Sequence, residues 1–229
     1  MKLLLWDIDG TLLDTGGAGM KALREGWQEA FPEVSAITAF PPLDLAGSTD
    51  AGLARLLFDH YQLPWSDQGF ARLLETYHLR LEVGLRSQPG RVLPGVADLL
   101  ARLGGSGHFA QGLLTGNTRT GAATKTRRHG LDGHFAFGAF GDDHHDRNAL
   151  GPIAIGRAEQ ITGHRFEAHR VYVIGDTPRD IACARACGAV AIAVATGRHT
   201  RGELEACFPD WLFDDLSDGA AFIAALHAE

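Results

Sequence analysis

Four short apolar runs set the rhythm of the chain. Residues 2–6 lead into Asp7-Ile8-Asp9-Gly10, and residues 109–114 into Thr115-Gly116-Asn117. Residues 170–174 lead into Gly175-Asp176, and residues 189–195 into Thr196-Gly197. Runs that are largely apolar, rather than alternating, predict strands buried on both faces of a parallel sheet. The stretches 118–129, 148–162 and 178–187 read as the helices between them; the last opens on Pro178 and stops before Gly188, as helix punctuation requires. Strand–helix alternation builds an open parallel sheet covered by helices. Such sheets bind ligands at the carboxyl ends of their strands, and polar clusters directly follow three of these strands.

Between Thr15 and about Gln88 the texture changes. Residues 19–31, 49–61 and 68–84 carry apolar positions at three- and four-residue spacing, with no strand pattern among them. Pro41-Pro42 and Pro64 mark turns, and Pro89-Gly90 closes the stretch. The expected organisation is a helical insert, residues 15–88, in an α/β core made of residues 1–14 and 89–229, with hinges near Thr15 and Gln88.

Composition is that of an ordinary globular chain, 45% hydrophobic and 21% charged. A net charge of -7 speaks against a nucleic-acid partner. It leaves room for a small anionic substrate, because a bound cation and backbone dipoles dominate at close range. No apolar run approaches the roughly 20 residues of a membrane span, so no membrane partner is expected. The first acidic residues follow too closely on Lys2 for a signal peptide, which makes the cytoplasm the expected location. Three cysteines do not suggest a disulfide framework; Cys183 and Cys187 are expected to pack as small hydrophobes on one helix face.

The chemistry concentrates at the strand ends. Alternate residues of an extended segment point the same way, so Asp7 and Asp9 can share a pocket. Gly10 lets the backbone turn sharply there. Paired carboxylates hold a cation or share a proton, and can divide the work of nucleophile and acid–base. Asp176 and Asp180 lie one helical turn apart and could reach one hard cation such as Mg2+. Thr115-Gly116-Asn117, at a helix start, offers a hydroxyl and N–H groups to phosphate. Singly, each has a plainer reading: an acidic turn, a favourable helix N-terminus and a helix cap. Their order along the chain, and their common place after strands, favours a joint site.

These motifs resemble the haloacid dehalogenase-like hydrolase superfamily, and within it the phosphoglycolate-phosphatase-like members with a helical cap. The DxDGT signature is matched in full by Asp7 to Thr11, and the resemblance covers nearly the whole chain. It implies a Rossmann-like α/β fold with an inserted cap, and Mg2+-dependent hydrolysis of a small phosphorylated metabolite. By that resemblance Asp7 attacks phosphorus and Asp9 serves as acid and base. Gly10, Thr11, Thr115, Gly116 and Asn117 bind the phosphoryl group. Asp7, the backbone carbonyl of Asp9, Asp176 and Asp180 form or support the Mg2+ shell. The family also uses a basic residue, usually Lys, before the helix that precedes the last acidic motif. Arg147 is the candidate here, with Arg179 and Lys125 behind it; its planar fork is not equivalent to an ammonium. Asp9 favours phosphorus over carbon as the electrophile, since relatives that cleave carbon–halogen bonds depart from DxD at that position.

The run Asp142-Asp143-His144-His145-Asp146 is expected to be a solvated loop rather than a metal site. Gly47-Ser48-Thr49-Asp50 could reach over the active site, and Trp27, Trp65 and Phe70 are expected in the core of the insert. His78 and Arg80 read equally as substrate contacts or as a solvated helix face. A phosphomutase using the same aspartyl-phosphate, and a non-catalytic binding module, are the competing readings. The chain is compatible with a monomer or a homodimer.

Overall fold

A computed structural model describes residues 1–228. The chain starts with β1 (Lys2–Trp6) and the short β2 (Leu13–Asp14), then four helices: α1 (Ala18–Ala30), α2 (Pro32–Ser35), α3 (Asp50–His60) and α4 (Asp67–Ser87). It continues through β3 (Arg91–Val92), α5 (Val96–Gly105), β4 (Phe109–Leu114), α6 (Arg119–Arg128), β5 (Gly138–Ala139) and α7 (Leu150–Thr162). The last third comprises β6 (Val171–Gly175), α8 (Pro178–Ala186), β7 (Val190–Val194), α9 (Arg201–Glu205), β8 (Trp211–Phe213) and α10 (Gly219–His227).

Six strands form one parallel sheet in the order β5-β4-β1-β6-β7-β8. Strand β1 is central, and Leu3, Leu4, Leu5 and Trp6 are completely buried. Because successive side chains of a strand point to opposite faces, β1 feeds two separate apolar clusters. Leu4 and Trp6 pack with Leu100 and Phe222 on one face, and Leu3 and Leu5 with Ala154 and Val173 on the other. This is why the strands read as largely apolar, without alternation, in the sequence. Strands β6 and β7 lie within one residue of their expected limits.

The insert supplies α1 to α4, which pack around their own apolar cluster. Trp27, Leu57, Leu73 and Leu81 lie at its centre, and Trp65 and Phe70 lie partly buried against it. The expected ranges of its three long helices hold to within three residues. At the base of the insert, β2 and β3 form an antiparallel pair, Leu13 opposite Val92 and Asp14 opposite Arg91. The pair ties both connections together on the core side of the expected hinges. Cys183 is buried within α8, and Cys187 is half-buried just past its end, both as free thiols. Among the described residues no helix is long and apolar enough to cross a membrane.

Candidate active site

The carboxyl ends of β1, β4 and β6 meet the insert across a cavity of about 360 Å³. Asp7 follows β1 directly, Thr115 follows β4, and Asp176 follows β6. Three stretches more than 50 residues apart thus converge through the sheet order alone. Gly10 occupies a left-handed conformation (φ 87°), and a Cβ there would lie 2.3 Å from Asp176 Oδ2. Both facts demand glycine at the turn.

Asp7, Asp176 and Asp180 are all buried, with carboxylate oxygens that lie within 4.8 Å of one another. Arg147 is set between two of them, its Nη2 3.1 Å from Asp7 Oδ1 and also bonded to Asp180 Oδ1. The other Asp180 oxygen accepts the Thr177 N–H at 3.0 Å and its hydroxyl at 2.7 Å, which closes a capping box on α8. Burial pushes the Asp7 carboxyl up to about 6, against the pull of Arg147 and with the help of repulsion from Asp180 and Asp9. Burial likewise holds Asp176 well above the ordinary carboxylate range, with Asp180 and Asp7 adding to the effect. The Arg147 guanidinium, though desolvated, is kept charged by Asp180 and Asp7. Three buried carboxylates sharing one guanidinium leave the cluster short of positive charge.

Asp9 belongs to a different network. Its Oδ2 accepts from Lys125 Nζ at 2.6 Å and from Asn117 Nδ2 at 2.8 Å, and its Oδ1 from the Thr15 hydroxyl at 3.1 Å. Burial raises this carboxyl, but the Lys125 charge and these hydrogen bonds outweigh it and leave Asp9 below its ordinary value. Asn117 also donates to the Thr115 hydroxyl at 2.8 Å and accepts from Lys125 at 2.6 Å.

Of the residues proposed from sequence, Asp7, Asp9, Gly10, Thr115, Gly116, Asn117, Arg147 and Asp176 all line the cavity. Thr11 and Asp180 stand behind it. The buried Thr11 hydroxyl donates to Asp176 Oδ1 at 3.1 Å, so Thr11 orients a carboxylate rather than facing the cavity. Arg179 reaches Asp44 and the Ala46 carbonyl and tethers the insert loop instead of the site. The loop 47–50 does reach over the strand ends. Gly47, Ser48 and Asp50 line the cavity, and the Asp50 N–H donates to the Gly116 carbonyl at 2.7 Å. His78 lies 2.7 Å from the Thr118 hydroxyl and Arg80 pairs with Glu29, so neither lines the cavity. In the acidic-histidine run, Asp143 pairs with Arg157 and the His145 carbonyl accepts the Thr49 hydroxyl at 2.6 Å.

The residue sequence reasoning undervalued is Lys125, 3% exposed and bonded to two site residues. Its signal was position. It lies seven residues after the α6 cap residue Thr118, two helical turns on, and so on the face of α6 that looks back to its own N-terminus.

A family model described as haloacid dehalogenase-like hydrolase matches residues 1–188. The phosphoglycolate phosphatase of Synechococcus elongatus is 29% identical over 231 aligned positions, spanning 95% of each chain. A protein of Dickeya dadantii named "Probable phosphatase IndB" is 30% identical, spanning 99% of this chain and 94% of its own. Among solved structures, a hydrolase from Pseudomonas syringae superposes with a TM-score of 0.72 at 22% identity over 98% of both chains.

Proposed function

The chain belongs to the haloacid dehalogenase-like hydrolases and is of the phosphatase kind, and we propose that it is a Mg2+-dependent phosphomonoesterase of small cytoplasmic metabolites that forms an aspartyl-phosphate on Asp7. The observation that carries this reading is the buried set Asp7, Asp176 and Asp180 beside Arg147 at the end of the central strand.

An all-oxygen donor set that is buried and short of positive charge suits a hard divalent cation. Asp7, the Asp9 carbonyl and Asp176 would hold Mg2+, with Asp180 fixed behind them by Thr177 and Arg147. When bound, Mg2+ would screen the phosphoryl charge and favour the ionised form of Asp7.

The residues divide the remaining work. Thr115, Gly116 and Asn117 seat the phosphoryl oxygens at the N-terminus of α6, with Arg147 and Lys125 supplying positive charge nearby. An Asp7 oxygen attacks phosphorus in line with the ester oxygen. As the phosphorus–oxygen bond to the alcohol breaks, Asp9 passes its proton to the departing oxygen. A water molecule then attacks the phosphorus, Asp9 takes a proton from it, and the bond to Asp7 breaks to release inorganic phosphate. The helical insert, residues 15–88 on a core of 1–14 and 89–229, acts as a cap that opens for substrate and closes to exclude bulk water. The β2–β3 pair at its base is suited to carry that movement. No observation favours the phosphomutase or the non-catalytic alternative.

Phosphate release from a panel of monoesters, with and without Mg2+, tests the proposal in wild type and Asp7→Asn. Turnover is expected to need both the metal and Asp7. Near-normal activity in a folded Asp7→Asn protein would end the aspartyl-phosphate reading.

A further inference from the structure

The reaction centre handles only the phosphoryl group, so the rest of the substrate meets the helical side of the cavity. The large side chains there are Met20 and Leu23 of α1, Leu45 of the loop between α2 and α3, Leu53 of α3 and Tyr77 of α4, with Thr15 and Ser48 as small polar residues and Asp50 as the lone carboxylate. None of the lining residues contributed by 15–88 is Lys, Arg or His.

The buried cations on the core side serve the reaction centre and its phosphoryl group. Lys125 bonds Asp9 and Asn117, each at 2.6 Å, and Arg147 bonds Asp7 and Asp180. Arg198, the remaining cation in the lining, is exposed in the loop after β7, where water screens it. Asp50 accepts the Thr118 N–H at 2.8 Å, and burial pushes its carboxyl up to about 6 against the pull of Lys125, the buried cation that reaches this wall from the core. A carboxylate on the substrate, beyond its phosphate, would lose its hydration against apolar side chains and face Asp50, with no cation of the insert to offset either cost.

We propose that the physiological substrate is the phosphate monoester of an uncharged alcohol with an apolar face, rather than a phosphorylated hydroxy acid. This rests on the phosphatase reading. Met20, Leu23, Leu45 and Leu53 cover the apolar face of the alcohol, while Asp50 and the Tyr77 hydroxyl meet its polar edge, the usual division of a small-molecule site. At about 360 Å³ the cavity lies near the lower end of the ~300–1,000 Å³ of such sites, which limits the alcohol to metabolite size. The substrate named in the S. elongatus relative, phosphoglycolate, carries a carboxylate and is therefore expected to be a poor one here.

The test is kcat/KM, in Mg2+, for phenyl phosphate, ribose 5-phosphate and phosphoglycolate with the full chain. The better uncharged ester is expected to exceed phosphoglycolate by about tenfold or more, the scale on which an unpaired buried polar group discriminates. Met20 is half-buried, so Met20→Lys can place an ammonium in this wall. That variant should shift the ratio toward phosphoglycolate by about fivefold or more, while Met20→Gln should not. Phosphoglycolate as the equal or preferred substrate of wild type would overturn the inference, as would a ratio indifferent to Met20→Lys. Selective loss of phosphoglycolate turnover in Arg198→Ala would also overturn it, by revealing a carboxylate seat on the core rim. Failure to release phosphate from any of the three esters is a different result, since it rejects the phosphatase reading itself.

Discussion

Replacing Arg147 with Met removes a guanidinium that is 6% exposed and touches Asp7 at 3.1 Å as well as Asp180. Met retains much of the volume and none of the charge. Asp7, Asp176 and Asp180 would then share a buried site with no protein cation bonded to them. Breaking a buried pair from one side typically costs about 3–5 kcal/mol, because the partner charge is left uncompensated. At about 2–4 °C of melting temperature per kcal/mol for a chain of this size, the variant should melt on the order of 6–20 °C lower in chelator at neutral pH. Two further results identify the cause as charge rather than packing. Millimolar Mg2+ should narrow the deficit, because it stabilises the state that binds it. Adding Asp180→Asn, which retains an oxygen for the Thr177 cap while removing a charge, should recover part of the loss and so show coupling between the sites. Scanning calorimetry of wild type, Arg147→Met, Asp180→Asn and the double variant, with and without metal, reads all three. A deficit under about 1 kcal/mol, or a double variant no more stable than Arg147→Met, would refute the charge argument.

Two other perturbations probe the same site from different sides. Asp7 and Asp176 must both shed protons to ligate Mg2+, and burial holds both high, Asp7 at about 6; affinity for Mg2+ should therefore fall as the pH drops through 6, by about tenfold per pH unit or more below it. Calorimetric titrations above and below pH 6 read this directly, and an affinity independent of pH would remove Asp7 from the ligand set. Gly116→Ala would put a Cβ 1.8 Å from the Ser48 carbonyl oxygen, a clash with backbone that no rotamer relieves. Overpacking of this kind should cost about 1–3 kcal/mol and lift the 47–50 loop, with kcat/KM falling by about tenfold or more. Unchanged kinetics would show that docking of this loop does not matter to turnover.

The sheet was legible because its central strands are buried on both faces. Largely apolar runs leading into Asp7, Thr115 and Asp176 mark strand, strand end and site together. The long helices of the insert announced themselves by their period, and α8 by Pro178 at its start and Gly188 after its end. The short strands that went unread have no strong local pattern. Strands β2, β3 and β5 are two residues each and are held by their pairing partners rather than by propensity. Helices α5 and α10 cover one face of the sheet, where Leu99, Leu100 and Phe222 are buried. In sequence, however, they carry no chemistry to draw attention. Lys125 was weighed only as a substitute for Arg147, because both are cations and the chain does not state which carboxylate each one meets. The structure assigns one cation to each network, Arg147 to Asp7 and Asp180, Lys125 to Asp9.

That division leaves the paired aspartates driven in opposite directions, and the directions are the reverse of what the proposed reaction needs at its first step. Burial lifts Asp7 to about 6 even with Arg147 beside it, whereas Lys125, Asn117 and Thr15 outweigh burial and hold Asp9 low. A nucleophile needs the lower value and a general acid the higher. Divergent pairs of this kind usually reveal which carboxylate is acid and which is base, and the protein charges alone would exchange the two roles. The surroundings argue against that exchange. Asp7 sits among the other carboxylates of the proposed metal shell, while Asp9 sits at the hinge side with Thr15. Asp7 beside a divalent cation is favoured in its ionised form. A phosphoryl dianion seated at Thr115 and Asn117 would compete with Asp9 for the Lys125 ammonium and add a nearby negative charge, and both effects raise Asp9. Each ligand thus moves one aspartate toward the state its proposed role requires. The reactive protonation pattern then exists only with metal and substrate both in place, which confines the acid to cycles in which there is an ester to cleave.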